Sequence, residues 1–309
     1  MSQGRTKGGE VMSRVVVGFD GSNASMAALR WAAAHASRWQ LPLRVVHVVA
    51  PAVASDGFGY VVPVDVEVFK TIMTSAQNAL DEAMVETRAT FPKLEIETEV
   101  RSGSASAELI KEAGEASLVV VGSRGRGGFR GLLLGSVSTQ VATHGTAPTV
   151  VIREGTSLDG GGSVVVGVDG SELSSEALAF AFEIASMRGL PLTAVHAWEV
   201  PTVDLVAMPG STLQAMSEFE HVELRTAAES IAGFAEKFPD VEVRDVLAKG
   251  SPVIAILDAD PMAELIVVGS RGHGEFVGAV LGSVSQAVLH RARVPVAVVP
   301  HRTARSEER

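Results

Sequence analysis

"VVVGSRGRGGFRGLLLGSVS" occupies residues 119–138, and "IVVGSRGHGEFVGAVLGSVS" occupies residues 266–285. In each, an apolar Val-rich run ends in a glycine, a glycine-rich loop follows, and Gly-Ser opens a stretch that reads as a helix. A helix start carries N–H groups without intrahelical partners, and its dipole favours negative charge there. The pattern therefore marks a candidate anion cradle. One glycine-rich loop after a strand is more often only a tight turn. The weight of the reading rests on the cradle being written twice.

The repetition extends along the whole chain. "VVVGFDGS" (15–22) returns as "VVVGVDGS" (164–171), and "LPLRVVHV" (41–48) returns as "LPLTAVHA" (190–197), both at an offset of 149. Residues 118–141 align with 265–288 without a gap at an offset of 147, with 16 identities in 24 positions. "APTVVI" (147–152) returns as "VPVAVV" (294–299). Solenoid repeats have periods of roughly 20–50 residues, so this longer period predicts two copies of one domain, each with its own core. The expected boundaries are 13–153 and 163–301, joined by a Gly/Ser-rich linker at 154–162.

Each copy reads as alternating strands and helices. Residues 14–19 and 41–49 read as strands, 23–39 as an Ala-rich helix, 51–64 as a loop, and 65–91 as a long amphipathic helix. The alternating 94–100 reads as a strand, 104–114 as a short helix, 117–122 as a buried central strand, 136–144 as a helix closed by Gly145, and 149–152 as the last strand. This order predicts an α/β fold with right-handed crossovers. Each copy should be a doubly wound, five-stranded parallel sheet with helices on both faces. Ligands in such sheets sit at the carboxyl ends of strands where the strand order reverses. Asp20 and Gly122 both follow strand ends, and they meet in one crevice if the first and fourth strands are neighbours.

Bulk properties narrow the partners. The 309 residues carry a net charge of −10 with no long basic run, which argues against nucleic acid. There is no cysteine, which excludes disulfides, thiol nucleophiles and Cys-based zinc sites. No 18-residue apolar run predicts a membrane span, and "MSQGRTKGGEVMS" lacks the apolar segment of a secretory signal. A cytoplasmic protein is expected.

The cradle chemistry can be stated residue by residue. Gly122, Gly125 and Gly135 would let backbone approach a ligand without a Cβ in the way. Ser136 could add its hydroxyl. Asp20 is placed to accept from ribose hydroxyls, although in "DGS" an aspartate also serves simply as a turn former. No Gly-Lys pair occurs, so no Walker-type loop is present. "GRGGFRG" is spaced G-x-G-x-x-x-G and follows the fourth strand, so a dinucleotide fingerprint is weak and misplaced.

Gly122-x2-Gly125-x9-Gly135-Ser136 and Gly269-x2-Gly272-x9-Gly282-Ser283, taken with "VGFDGS" and "VVHV", resemble the ATP-binding kind of universal stress protein domain. The whole chain resembles the tandem form common in actinobacteria, with an adenine nucleotide alpha hydrolase-like fold. The resemblance implies one ATP per half and admits Mg²⁺ as its companion. It implies ribose contacts from Asp20 and Asp169, and backbone contacts to adenine from Val48 and Ala197. It implies phosphate contacts from the six glycines, Ser136 and Ser283, with further amides from Val137 and Val284. His47 and His196 read as structural, since no second ligand or nucleophile accompanies them.

The implied function is regulatory: nucleotide occupancy modulates stress response or growth through an unidentified protein partner, with no catalytic residue assigned. The alternative is a slow ATPase or self-phosphorylating enzyme, with Ser136 or Ser138 as acceptor, though a serine at a helix start is more often a cap. Arg124, Arg126 and Arg130 in the first loop against Arg271, His273 and Glu275 in the second would favour a triphosphate in the first half, if these side chains face phosphate. A solvated surface is an equal reading. In the family the last strand dimerises, so the two halves should form an internal pseudo-dimer, with further homodimerisation on top.

Overall fold

The computed structural model describes residues 14–50, 53–55, 61–63, 65–127, 134–156, 161–198, 225, 228–229, 231–272 and 281–301. In the first half, β1 (Arg14–Gly18), β2 (Leu43–Val49), β5 (Ile96–Ser102), β6 (Ala116–Gly122) and β7 (Thr149–Ile152) alternate with α1 (Asn23–Trp39), α2 (Val66–Thr90), α3 (Ala105–Ala113) and α4 (Ser136–His144). The second half repeats this with β8 (Val164–Val168), α5 (Glu172–Arg188), β9 (Leu192–Trp198), β10 (Val243–Lys249), α6 (Pro252–Asp258), β11 (Leu265–Gly269), α7 (Ser283–Arg291) and β12 (Val296–Val299). Residues 51–64 hold more than the expected loop. Val53–Ser55 (β3) and Val61–Pro63 (β4) pair antiparallel as a small ribbon, two Val-containing runs either side of an Asp-Gly turn signal.

All ten remaining strands form one sheet, in the order β10-β9-β8-β11-β12-β7-β6-β1-β2-β5. Each half is parallel throughout, with its first strand between its second and fourth. The halves meet where β12 runs antiparallel to β7, with Val296 opposite Val151, Ala297 opposite Val150 and Val298 opposite Thr149. The final strands of the two copies thus pair with each other within one chain.

Successive strand side chains point to opposite faces, so the Val runs feed two cores. Val15, Val17, Val164 and Val166 pack with α1, α2 and α5. Val16, Val119, Val165 and Val268 pack with α3, α4, α6 and α7. Alanines at 24, 28, 32, 33 and 36 let α1 lie close to the sheet. Gly122 completes that approach, because a Cβ there would stand 2.7 Å from the Ala24 carbonyl carbon and 2.8 Å from Ser25 N.

The polar floors of the two halves differ. In the first, Glu112 is 6% exposed and lies within 3.3 Å of Arg14, 3.2 Å of Arg44 and 2.7 Å of Arg101. In the second, Ser163 and Thr193 replace Arg14 and Arg44. Asp260 accepts from Ser163 N and Oγ, both at 2.7 Å, and Thr193 donates to Ser163 Oγ at 2.9 Å.

An aromatic cluster bridges the halves on the α1–α5 side. His35 stacks between Trp31 and Trp39, with centroids 5.1 and 4.9 Å away. Arg188 of the second half lies over the Trp31 ring at 4.9 Å and pairs with Glu264. Burial, and then the charges of Arg188 and Arg38, push the His35 pKa down to about 3. The folded state therefore holds His35 neutral while the unfolded chain protonates near pH 6.5. This contribution to stability is complete above about pH 6.5 and falls by about 1.4 kcal/mol per pH unit down to about pH 3. Urea denaturation at pH 7 and pH 5 should show this loss in the wild type and a smaller one in His35→Ile, the residue that the second copy carries at Ile184.

α1 ends in Gln40 at φ 54°, whereas the equivalent α5 ends in Gly189 at φ 64°. A side chain in the left-handed region costs about 1 kcal/mol that glycine avoids. Gln40→Gly is expected to stabilise the protein by about that amount in urea melts, and a destabilised variant would contradict this reading.

Candidate functional site

β1 and β6 are neighbours, so the turn after β1 and the loop after β6 leave the same sheet edge side by side. Ser22 caps α1 by accepting from Ser25 N at 3.2 Å. Asp20 Oδ1 accepts from Ser22 N at 3.0 Å, and Oδ2 accepts from Arg126 N at 2.9 Å. Burial raises the Asp20 pKa, but the hydrogen bonds from Ser22 and Arg126 outweigh it and hold the carboxyl below its usual value. Asp20 is thus anionic and tied to both loops. A carboxylate has about four acceptor positions, so capacity for a hydroxyl ligand is left.

The second half repeats the arrangement. Asp169 Oδ1 accepts from Ser171 N at 3.0 Å and from Ser171 Oγ at 2.6 Å, while Ser171 caps α5 by accepting from Ser174 N. Gly21 and Gly170, at φ 76° and 82°, make the two turns.

Gly125 and Gly272 have a different immediate role from the expected one. A Cβ would stand 2.4 Å from Asp20 Oδ2 at Gly125 and 2.5 Å from Asp169 Oδ2 at Gly272. The space these glycines leave is filled by the aspartate, and Gly122 leaves its space to α1. The space on the Cβ side of Gly122 and Gly125 is thus filled by the protein's own packing, while their counterparts Gly269 and Gly272 keep a surface on the cavity of the second half.

The helix starts are where the site stays open. α1 and α5 have serine caps, but α4 and α7 have Gly135 and Gly282 at their N-cap positions, with no side-chain cap. Among the described residues nothing takes up the first N–H groups of α4 and α7, those of Ser136, Val137, Ser283 and Val284, which are left for solvent or a ligand. Ser138 Oγ donates to Ser123 O at 3.1 Å and Gly135 O at 2.9 Å, and Ser285 Oγ donates to Gly269 O at 2.5 Å. These second serines, together with the Gly135 N to Ser123 O and Gly282 N to Ser270 O bonds, pin each loop end to its strand.

In the second half these elements enclose a cavity of about 610 Å³, inside the range of about 300–1,000 Å³ usual for small-molecule and cofactor sites. Asp169, Ala197, Gly269, Gly272, Gly282, Ser283 and Val284 all line it. Val195, Ile256 and Leu281 supply apolar walls, and Arg271 supplies a cation. The sequence reading missed Pro252, Ile256 and Gln286, which also line it. The repeated Ser-Arg pair, 123–124 and 270–271, was the legible sign of the pinned loop.

In the first half, Asp20, Gly125, Gly135, Ser136 and Val137 occupy the same places, and Val48 sits on β2 beside them. Arg126 folds its guanidinium over the β1–α1 turn, where a Cβ on Gly21 would stand 2.4 Å from Nη2. Arg130, His273 and Glu275 lie outside the described residues. His47 is buried at the edge of Phe19, with centroids 5.8 Å apart, and burial lowers its pKa despite the neighbouring Asp20. His196 Nδ1 lies 2.9 Å from Val168 O. Both histidines belong to the buried floor.

A family model described as the Universal stress protein family matches residues 12–153 and again 162–300. A universal stress protein of Mycolicibacterium smegmatis is 36% identical over 292 residues, covering 92% of this chain and 96% of that one. One of Mycobacterium tuberculosis is 38% identical over 291 residues, with the same coverage of 92% and 96%. The crystal structure of a universal stress protein from Archaeoglobus fulgidus matches 93% of this chain and 98% of its own, with a TM-score of 0.64 at 22% identity, a likeness of fold.

The packing of aspartate on glycine is open to test. Gly125→Ala should force Asp20 off its bond to Arg126 N and cost about 1–3 kcal/mol, the usual range for overpacking. Gly127→Ala, where no atom of the described residues lies within 4 Å of the added Cβ, should cost far less. Equal losses in thermal melts would contradict the assignment.

Proposed function

The chain belongs to the universal stress protein family, and on that premise we propose that each half binds ATP and that occupancy is read by a protein partner. One observation carries this: in the second half an uncapped nine-residue helix start opens into a cavity that faces Asp169 across the sheet edge. A phosphate chain fits the N–H groups of Ser283 and Val284, where the helix dipole favours an anion, while Gly282 N stays bonded to Ser270 O. Asp169 accepts from the ribose, the apolar walls at Val195 and Ile256 take the base, and Ala197 offers backbone to its edge. Asp20, Val48, Gly135, Ser136 and Val137 would do the same in the first half. A magnesium ion would arrive on the phosphates, as Mg²⁺ usually does in nucleotide sites.

Binding is better supported than turnover. Hydrolysis or phosphoryl transfer needs a group that orients or deprotonates the nucleophile. Ser138 Oγ is engaged with two carbonyls, which leaves Ser136 and Ser283 as the exposed hydroxyls at the cradles. The proposal includes a cytoplasmic location, where ATP is supplied, and association of two chains into a homodimer. No helix among the described residues is long and apolar enough to cross a membrane.

Calorimetric titration of the full chain with ATP should show two sites per chain. Asp20→Ala and Asp169→Ala should each weaken one site by about 10–100-fold, the worth of one charged hydrogen bond. Their comparison also tells whether the arginine-rich first half binds more tightly. Absence of binding at millimolar ATP would defeat the proposal, and release of ADP or phosphate over hours would move it to the ATPase alternative.

A further inference from the structure

Arg153 immediately follows β7, so it leaves the same sheet edge as Asp20 and Gly122. Because β12 runs antiparallel to β7, that edge also holds the start of β12 and the end of the helix before it, α7. Arg153 Nη2 donates to Leu289 O and to His290 O, both at 2.7 Å. These carbonyls belong to the last turn of α7, where intrahelical donors run out and the dipole favours a cation.

The other end of α7 is the Gly282–Val284 cradle of the second cavity. At nine residues the helix is about 13 Å long. One end is therefore held by an arginine from the first site's edge, and the other end presents its N–H groups at the second site. Ser123 N donates to Ile152 O at 2.7 Å, so Arg124 and Arg153 leave adjacent strand ends side by side. Burial and then the like charge of Arg124 lower the Arg153 pKa.

The duplication supplies an internal comparison. At the offset of 147 the position of Arg153 is Pro300, which has no side-chain donor. The helix that bears the first cradle, α4, receives no matching arginine from that position.

We propose that Arg153 is a positioning residue that couples the two sites through α7, on the basis of the nucleotide reading above. Phosphates at the first cradle offset the charge of Arg124 on Arg153. The guanidinium then holds the last carbonyls of α7 more firmly, and the second cradle is better ordered for its own phosphates. Coupling between binding sites is reciprocal, so either occupant strengthens the other by the same factor. A charge at one helix end supports a factor of about three- to tenfold.

The test is an ATP titration of four full-length proteins: wild type, Asp20→Ala, Arg153→Met, and the double variant. At ATP concentrations that fill the second site but leave the weakened first site of Asp20→Ala largely vacant, the second should bind about three- to tenfold more weakly than in the wild type. With Met at 153 that difference should vanish, and Arg153→Lys should restore part of it. Hydrogen exchange should quicken at 283–291 in Arg153→Met and stay unchanged at 136–144, a contrast that general loosening would not produce. If both sites bind but Asp20→Ala leaves the second unchanged, or the factor survives in Arg153→Met, the coupling is wrong while the nucleotide reading stands. If neither site binds, the nucleotide reading has failed and the coupling falls with it.

Discussion

Three residue pairs between β7 and β12 hold the architecture together. Both strands are buried along their whole length, and each would be a bare apolar edge if its half stood alone. Pairing them removes both edges at once. It also makes the core layer above the sheet and the one below it continuous across the halves, since each layer contains residues from both. Arg188 over Trp31 reinforces the same junction from the helix side. Antiparallel pairing has a geometric result as well: it sends the two candidate sites to opposite edges of one sheet.

The helix ends explain why the candidate sites lie where they do. Within each half, the helices that follow the first and fourth strands start side by side at the same sheet edge. One begins with a serine whose oxygen takes up an N–H group, and the other begins with a glycine that cannot. The serine helix carries the aspartate turn, and the glycine helix is left to satisfy its donors from outside the fold. An acceptor and a set of donors thus face one crevice, a combination suited to a ligand with hydroxyls at one end and negative charge at the other.

Much of this was legible in the sequence because duplication removes coincidence. Strand identity followed from continuous Val runs, and the crevice followed from two loops leaving strand ends. The roles of individual glycines were not legible. Nothing in a string of residues says whether the space beside Gly125 belongs to a ligand or to Asp20, because that depends on how two loops distant in sequence approach each other. Trp31, His35 and Trp39 stand at i, i+4 and i+8 on α1 and so share one helix face, but the contact of Trp31 with Arg188 was hidden for the same reason, since Arg188 comes from the other half. The β3–β4 ribbon was read as loop because three-residue strands are too short to show alternation.

Arg153 and Pro300 stand at matching positions, and that mismatch reaches beyond the helix it affects. Two identical subunits related by a two-fold axis must carry the same residue on both sides of their junction. Every advantage gained at one site is then imposed on its twin. Joining the copies in one chain lifts that restriction. The floor of one half could become an arginine–glutamate network while the other became hydroxyls around Asp260, and a single arginine could be kept on one side of the seam alone. The fused chain keeps the geometry of a symmetric pair and is free to make its two members unequal.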